Sequence, residues 1–287
     1  MSGYKNFAVV GAGSIGSFII RQLLTDKAAG TVKEVVVLTR QASLASTGQT
    51  HSLIDLSQGS KTTVDPAAKL IPVDYSDKES IKTALVGVDV VISTIAPAEV
   101  GVKLFVPSEF GRPTQGEAEG YLADKGQIQE QLKAIGLPYA LFYTGGFADY
   151  LFVPFLDLDV TSGKVSIGGD GSKPIPFTSR LDIARYISYV LTHLPVDQLE
   201  NRSFTITGDT KSFNEIFKGY QEKTGKKLEV TYIPVSELDA RLASNPRDIP
   251  TYVHKLWAAW DESPMKTDNH LYPEWNPSSV LDNLPVA

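Results

Sequence analysis

Three side chains that can exchange protons, Ser108, Tyr121 and Lys125, lie close together in the sequence. Apolar spacing predicts a helix over residues 116–135, and Lys125 falls inside its apolar stripe. That stripe consists of Leu122, Ile128, Leu132 and Ile135. Tyr121 precedes Lys125 by four residues, so both side chains would share one face of such a helix. Burial there would favour the neutral amine, which suits a general acid or base near neutral pH.

A lysine on an inward face also has a purely structural interpretation. Its stem could cover the ring of Tyr121 while its ammonium group stays in solvent. The chemical interpretation is favoured by Ser108, because this residue follows a predicted strand over residues 101–106. In a doubly wound sheet, ligands bind at the carboxyl ends of the strands.

The first segment of the chain predicts what such a site would bind. An apolar run over residues 7–10 stops at Gly11, and Gly13 and Gly16 complete a G-x-G-x-x-G pattern before a helical segment over residues 18–24. Gly11 would allow the turn, Gly13 the approach of a pyrophosphate, and Gly16 close packing of helix on strand. The helix N-terminus would offer N–H groups to the phosphates. A purely structural glycine turn is the alternative.

The end of the second strand indicates which dinucleotide would bind. The β-branched run over residues 32–39 predicts a buried parallel strand, and Arg40 follows it. An acid near this position would accept from a ribose 2′-OH, whereas an arginine suits a 2′-phosphate. No acid lies between Val35 and Ser52. The pattern therefore favours NADP(H) over NAD, with a solvated arginine as the structural alternative.

Alternating apolar and helical segments predict an α/β protein with a Rossmann-type doubly wound parallel sheet. Further strands are predicted at residues 69–73, 88–93, 101–106 and 138–143. After residue 150 the alternation loosens, and we expect a small C-terminal α+β substrate-binding part. The predicted NAD(P)-binding domain spans residues 1–150, with 178–207 returning to it. The predicted substrate-binding part comprises residues 151–177 and 208–287.

The connection between the fourth and fifth predicted strands is unusually short. Only residues 94–100 separate them, whereas a parallel crossover normally needs a dozen or more residues, usually a helix. We therefore expect that a helix of about four turns is missing here, compared with an ordinary doubly wound chain. Such a loss would leave apolar surface exposed on one face of the sheet.

Composition excludes several classes of protein. A formal charge of −6 argues against binding nucleic acid, and the absence of cysteine excludes disulfides, thiolate nucleophiles and zinc–thiolate sites. The four histidines are scattered, so we predict no metal site. No apolar stretch is long enough to span a bilayer, and a strand begins by residue 6, which predicts no targeting peptide. The expected location is cytoplasmic, without membrane contact.

Several stretches together resemble the isoflavone-reductase-like branch of the NmrA-like group. The members of this group are atypical short-chain dehydrogenases/reductases. They are residues 11–16, 38–40, 86–93, the V-P-S-E-F-G string at 106–111, Lys125 ahead of 136–139, and 144–147. The resemblance covers most of the first 150 residues and extends more thinly to about residue 235. It implies a Rossmann body, NADPH as cofactor and Lys125 as the catalytic residue.

The residue patterns and the resemblance together define one candidate site. The predicted catalytic residues are Lys125, Tyr121 and Ser108. The predicted cofactor-binding residues are Gly11, Gly13, Ser14, Ile15, Gly16, Arg40, Thr94, Ile95, Lys125 and Phe147. Tyr121 and Lys125 also satisfy the Y-x-x-x-K pattern of short-chain dehydrogenases, so either the lysine or the tyrosine could be the proton donor. Gln129 and Gln49 stand where the family often has basic residues, which weakens the case for its plant substrates and for a firm hold on a 2′-phosphate.

The leading interpretation is an NADPH-dependent reductase of a small, aromatic or carbonyl-containing molecule. An aromatic set could wall the substrate pocket or simply pack in the core: Phe110, Phe147, Tyr150, Phe152 and Phe155. One alternative is a non-catalytic NADP(H) sensor that regulates a partner protein, and another is a chain that has lost activity. A homodimer is also compatible with the sequence.

Overall fold

The structure is a computed structural model that describes residues 3–40, 52–55, 60–63, 67–93, 102–117, 120, 122–260 and 266–285. The strands are β1 (Asn6–Val10), β2 (Glu34–Arg40), β3 (Ser52–Asp55), β4 (Ser60–Thr63), β5 (Lys69–Val73), β6 (Val90–Ser93), β7 (Leu104–Val106), β8 (Ala140–Tyr143), β9 (Gly146–Phe147), β10 (Lys164–Gly168), β11 (Ile175–Thr178), β12 (Arg202–Thr205), β13 (Asp209–Lys211) and β14 (Glu229–Ile233). The helices are α1 (Gly16–Ala28), α2 (Lys78–Ala84), α3 (Ala123–Ala134), α4 (Arg180–His193), α5 (Phe213–Thr224), α6 (Val235–Ser244) and α7 (Ile249–Ala258).

The chain divides into two compact units. The first comprises Met1–Glu109, Gln127–Phe142 and Ile183–Phe204, and the second comprises Phe110–Gly126, Tyr143–Asp182 and Thr205–Ala287. The predicted division had residues 110–126 and 143–150 in the nucleotide-binding domain, but these segments group with the second unit. Ser108 therefore belongs to the first unit and Lys125 to the second.

The first unit is built on a parallel sheet. Its strands lie in the order β5-β2-β1-β6-β7, and a parallel bridge between Phe105 and Tyr139 adds the segment leading into β8. When only the parallel strands are numbered along the chain, their spatial order is 3-2-1-4-5-6. This is the order of a doubly wound fold. The order reverses between β1 and β6, so the carboxyl ends of these two strands form the switch point where such sheets bind ligands.

The strands of this sheet are apolar on both faces because helices cover both. On one face, Val36 and Leu38 of β2 belong to a core cluster with Ile81 of α2 and Leu132 of α3. On the other face, Val35 and Val37 are completely buried. The predicted Rossmann-type sheet is confirmed.

A single carboxylate ties the opposite, amino-terminal edge of the sheet together. Asp89, just before β6, accepts hydrogen bonds from the backbone N–H groups of Lys5 and Asn6, each at 2.9 Å, and from the Lys103 ammonium group at 2.7 Å. These contacts join the starts of β1, β6 and β7. These contacts brace the amino-terminal edge of the sheet, opposite the carboxyl edge where doubly wound sheets bind ligands.

The second unit has its own core and two small sheets, in the orders β13-β11-β9 and β10-β14. A group of buried aromatic rings centres on Phe213, whose ring centroid lies 6.1 Å from that of Phe177 and 4.6 Å from that of Trp257. The strands β11 and β13 and the antiparallel hairpin of β3 and β4 were not predicted.

Two predicted boundaries near the candidate site are wrong. The helix predicted over residues 116–135 begins only at Ala123, because Gly116 and Gly120 both have left-handed backbone angles, with φ of 81° and 79°. Tyr121 lies outside the described residues, so its placement on one helix face with Lys125 stays a prediction. Strand β7 begins at Leu104, later than the predicted residue 101.

The short connection between β6 and β7 falls largely on residues 94–101, which lie outside the described residues. The two strands are parallel neighbours, with Val90 opposite Leu104. The expected bare sheet face is not seen among the described strands, since Ala8 is 0% and Val91 and Phe105 are each 1% exposed. That a crossover helix is missing stays a prediction.

Candidate functional site

The glycine-rich turn leaves β1 in a conformation that only glycine adopts easily. Gly11 has φ of 92°, in the left-handed region where a side chain would be strained. Its N–H donates to the carbonyl of Leu38 at 3.4 Å, which ties the turn to the end of β2. A Cβ added at Gly13 would meet no atom within 4 Å, so the backbone there faces open space. The turn is therefore shaped to let a ligand approach its backbone.

Helix α1 begins at this turn without any acidic or capping side chain. Its N-cap is Ile15, whose side chain cannot accept a hydrogen bond, and its first turn carries no acid. The first backbone hydrogen bonds of the helix run from the Ser17 N–H to the Gly13 carbonyl, at 3.1 Å, and from the Ile19 N–H to the Ile15 carbonyl, at 3.2 Å. A helix N-terminus of this kind attracts an anion through its dipole and its N–H groups. The predicted residues Gly11, Gly13, Ser14, Ile15 and Gly16 are thus brought together.

A cleft of about 320 Å³ opens at the ends of β2 and β5. Its lining residues are Arg40, Val73, Asp74, Tyr75 and Ser76. Arg40 is exposed, and among the described residues its guanidinium group has no carboxylate partner. Burial raises the pKa of Tyr75 to about 12, although the charge of Arg40 acts in the opposite direction. Hydrogen bonds from the Ser76 hydroxyl and N–H lower the pKa of Asp74 and keep it ionised. The cleft can hold a nucleoside against Tyr75 and an anionic group against Arg40.

The turn after β7 carries Ser108 and is fixed by buried polar groups. Ser108 is half-buried, and the next residue, Glu109, is buried and accepts a hydrogen bond of 2.8 Å from the side-chain amide of Gln129. Phe110 then adopts φ of 37°, a left-handed angle that is uncommon for a phenylalanine. From the sequence, Gln129 was considered only as a position where the family often has a basic residue. Its contact with Glu109 was not predicted. The signal available was an acid inside an otherwise apolar strand-end segment.

Lys125 lies in the first turn of α3 and is half-buried. The residue after it, Gly126, lies so close to the preceding loop that a Cβ there would come within 2.4 Å of the Glu117 carbonyl oxygen. In the same loop, Arg112 forms an ion pair with Glu117 and donates to the Tyr252 hydroxyl at 3.2 Å. The helix turn that carries Lys125 is therefore held by its own loop, a restraint that the sequence did not reveal.

The remaining predicted residues have different outcomes. Tyr121, Thr94 and Ile95 lie outside the described residues. Phe147 is half-buried and forms the short strand β9, which pairs with β11. Of the other proposed pocket aromatics, Phe152 packs against the core of the second unit, and Phe155 is 58% exposed. These two are better explained as a core residue and a surface residue than as pocket walls.

No group of three or more metal-ligating side chains occurs in the described part of the chain, and Gln49 and His51 lie outside it. The buried His254 serves the fold: its Nδ1 accepts from Gly168 N–H and its Nε2 bonds to the Leu156 carbonyl, each at 3.0 Å. Because Nδ1 accepts, Nε2 carries the hydrogen, and the ring is neutral. Burial lowers the pKa of this histidine. Within the described ranges, no helix is long and apolar enough to cross a membrane.

Sequence comparison links the chain to a family of known proteins. A family model described as the NmrA-like family matches residues 4–257. The isoflavone reductase homolog P3 of Arabidopsis thaliana is 28% identical over 268 residues, which cover 84% of this chain and 82% of the relative. Eugenol synthase 1 of Petunia hybrida is 27% identical over 267 residues, with the same coverage. The phenylcoumaran benzylic ether reductase POP1 of Populus trichocarpa is 26% identical over 314 residues and 98% of each chain, a stretch longer than the 287 residues here.

Solved structures share the fold at lower identity. A structure from a study of pinoresinol-lariciresinol and phenylcoumaran benzylic ether reductases aligns with a TM-score of 0.75 and 20% identity, over 97% of this chain and 98% of that one. The binary complex of leucoanthocyanidin reductase and NADPH from Vitis vinifera aligns with a TM-score of 0.72 and 16% identity, over 96% and 97%. These likenesses agree with the Rossmann-type fold of the first unit.

Proposed function

The chain belongs to the NmrA-like family, and on that basis we propose that it is an NADPH-dependent reductase of a small aromatic or carbonyl-containing molecule. The resemblance found in the sequence is confirmed at the level of the family. The reductase activity is supported by the names of the relatives, which include an isoflavone reductase homolog and a phenylcoumaran benzylic ether reductase. The cofactor is supported by the NADPH complex among the structural neighbours.

The observation that carries the proposal is the arrangement at the carboxyl edge of the first unit. Gly13 faces open space beside an uncapped helix N-terminus, and Arg40 extends into a cleft at the end of the next strand. The helix N-terminus would hold the pyrophosphate and Arg40 the 2′-phosphate. When bound, NADPH supplies a hydride, and the protein has to orient the substrate and handle a proton.

Two routes for the proton follow from the predicted catalytic residues. In the first, Lys125 is the general acid or base. In the second, Tyr121 donates the proton, Lys125 promotes its ionisation and binds the ribose, and Ser108 hydrogen-bonds the substrate carbonyl. The half-buried setting of Lys125 is compatible with either role.

The proposal is tested by following NADPH oxidation at 340 nm with a panel of phenylpropanoid-type and carbonyl substrates. We expect turnover by the wild-type protein and a loss of at least about 100-fold in Lys125→Met. Tyr121→Phe separates the routes, because retained activity favours the lysine and lost activity favours the tyrosine. Wild-type turnover in Lys125→Met would contradict both.

The second candidate is a non-catalytic NADP(H) sensor that acts on a regulatory protein partner. It shares the cofactor site but needs neither Lys125 nor Tyr121. Saturable NADPH binding without oxidation of any substrate in the panel would favour it. A cytoplasmic location, a homodimer and the use of residues 151–177 and 208–287 for substrate binding remain proposals from the sequence.

A further inference from the structure

One side chain in the Arg40 cleft makes a contact that links three strand ends. The Tyr75 hydroxyl, just after β5, donates to the Leu38 carbonyl of β2 at 3.0 Å. The same carbonyl accepts the N–H of Gly11, just after β1, at 3.4 Å. A carbonyl oxygen has two lone pairs, so it can take both donors. Through this one oxygen, the ends of β1, β2 and β5 are fixed relative to one another.

The ring of Tyr75 has a second role in the same place. It packs against the core cluster that contains Leu38, Val73 and Ile81, and it also lines the cleft with Arg40. The ring is therefore held rigidly where a flat apolar group could lie against it. Arg40 stands two residues beyond Leu38 on β2, so the oxygen that Tyr75 holds belongs to the strand end that carries the cation.

The charges in the cleft fit a phosphate next to a nucleoside. Arg40 supplies the positive charge of the cleft. Among the described residues its guanidinium group has no protein partner that a phosphate would have to displace. Asp74 is its anion, but Ser76 occupies one carboxylate oxygen with two hydrogen bonds, of 2.9 Å and 2.6 Å. A phosphate can therefore bind at the Arg40 side, and the free oxygen of Asp74 can accept a hydrogen bond from an amino group.

We propose that Tyr75 is a positioning residue for the 2′-phosphorylated adenosine of the cofactor. Its ring walls the nucleoside cleft, and its hydroxyl holds the end of β2 so that Arg40 meets the 2′-phosphate. The inference rests on the proposed function, because it assumes that this edge binds NADPH. Selectivity for the 2′-phosphate then depends on Tyr75, although this tyrosine does not itself contact the phosphate.

The test uses adenosine 2′,5′-bisphosphate and adenosine 5′-monophosphate as probes, with isothermal titration of the whole protein. Tyr75→Phe keeps the ring and removes the hydroxyl. We expect it to weaken binding of the bisphosphate about two- to tenfold, as expected for one hydrogen bond, and to leave the monophosphate within about twofold. Tyr75→Leu removes the ring as well and should weaken both probes.

A matched control is Tyr232→Phe in the second unit, which also removes one hydroxyl, bonded to Asn214 Oδ1 at 2.8 Å. It should change neither affinity. If Tyr75→Phe lowers the melting temperature but leaves the ratio of the two affinities unchanged, Tyr75 is only structural and the inference is overturned. If the wild-type protein binds neither probe nor NADPH, the proposed function fails, and the inference with it.

Discussion

Gly11 and Gly13 belong to one turn but are required for different reasons. Gly11 has φ of 92°, so its substitution strains the backbone whether or not a ligand binds. Gly13 lies outside the left-handed region, and a Cβ there meets nothing within 4 Å. The described fold has no need of a glycine at Gly13, so we attribute that glycine to the proposed approach of a ligand.

Gly13→Ala should therefore separate binding from stability. We expect its free energy of unfolding to stay the same or rise by about 0.4–1 kcal/mol, since alanine restricts the unfolded chain. Its affinity for NADPH should fall about tenfold or more, because the methyl group occupies the path of the pyrophosphate. Gly11→Ala is the contrast and should lose about 1–2 kcal/mol of stability. Chemical denaturation and NADPH titration measure both, and unchanged binding in Gly13→Ala would rule out this turn as the phosphate site.

At the residue scale, local patterns indicated the candidate cofactor residues but not the contacts around the candidate catalytic ones. The turn glycines and Arg40 are adjacent to strands with strong apolar patterns, so their placement follows from chain order. The hydrogen bond between Glu109 and Gln129 joins residues twenty positions apart, and no local pattern encodes it.

At the scale of elements, the start of α3 decides where Lys125 lies. A Cβ at Gly126 would come within 2.4 Å of the Glu117 carbonyl oxygen and 3.2 Å of the Thr114 carbonyl oxygen. Gly126→Ala should thus shift the helix turn and cost about 1–3 kcal/mol in unfolding free energy, as overpacking does. Turnover should fall as well, because Lys125 moves with the turn. Gln127→Ala, at the exposed neighbouring position, is the control, and equal stability in both variants would contradict the close contact.

His254 joins α7 to β10, and we expect its titration to make the second unit sensitive to acid. Its neutral ring is required, because a protonated Nδ1 could not accept the Gly168 N–H. The pKa is lowered by burial, so its contribution to stability is complete above the unfolded value of about 6.5 and is lost as pH falls through the lower folded value. Asp157, Arg241 and Asp248 are the charged groups that also act on it.

We expect the unfolding free energy of the wild-type protein to fall more steeply below pH 6.5 than that of His254→Gln, which cannot titrate. Urea unfolding at several pH values between about 5 and 8 measures the slopes. Equal slopes would show that His254 does not control the acid response.

The long, strongly apolar strands and the helices were predictable because their patterns are local. Strand β11 was missed because it contains Pro176, and β13 because it has three residues with no apolar one. The start of α3 was placed too early because apolar spacing does not reveal that Gly116 and Gly120 adopt left-handed angles.

At the scale of the whole molecule, the sequence predicts that the link between β6 and β7 lacks a crossover helix. The alignment with the Populus relative is longer than the chain itself, so that relative has residues without a counterpart here. This agrees with the predicted absence of a crossover segment. The strands β6 and β7 still pair in parallel, and Val91 and Phe105 are buried, so the order of the sheet survives.

We propose that the carboxyl edge of the first unit binds NADPH through Arg40. Isothermal titration should measure the dissociation constants of NADPH and NADH for the wild-type protein and for Arg40→Ala. Arg247→Ala, an exposed arginine of the second unit, is the control. We predict saturable NADPH binding that weakens about tenfold or more in Arg40→Ala, while NADH binding changes little in either variant. Absence of saturable NADPH binding to the wild-type protein, or equal NADPH affinity in Arg40→Ala, would contradict the claim.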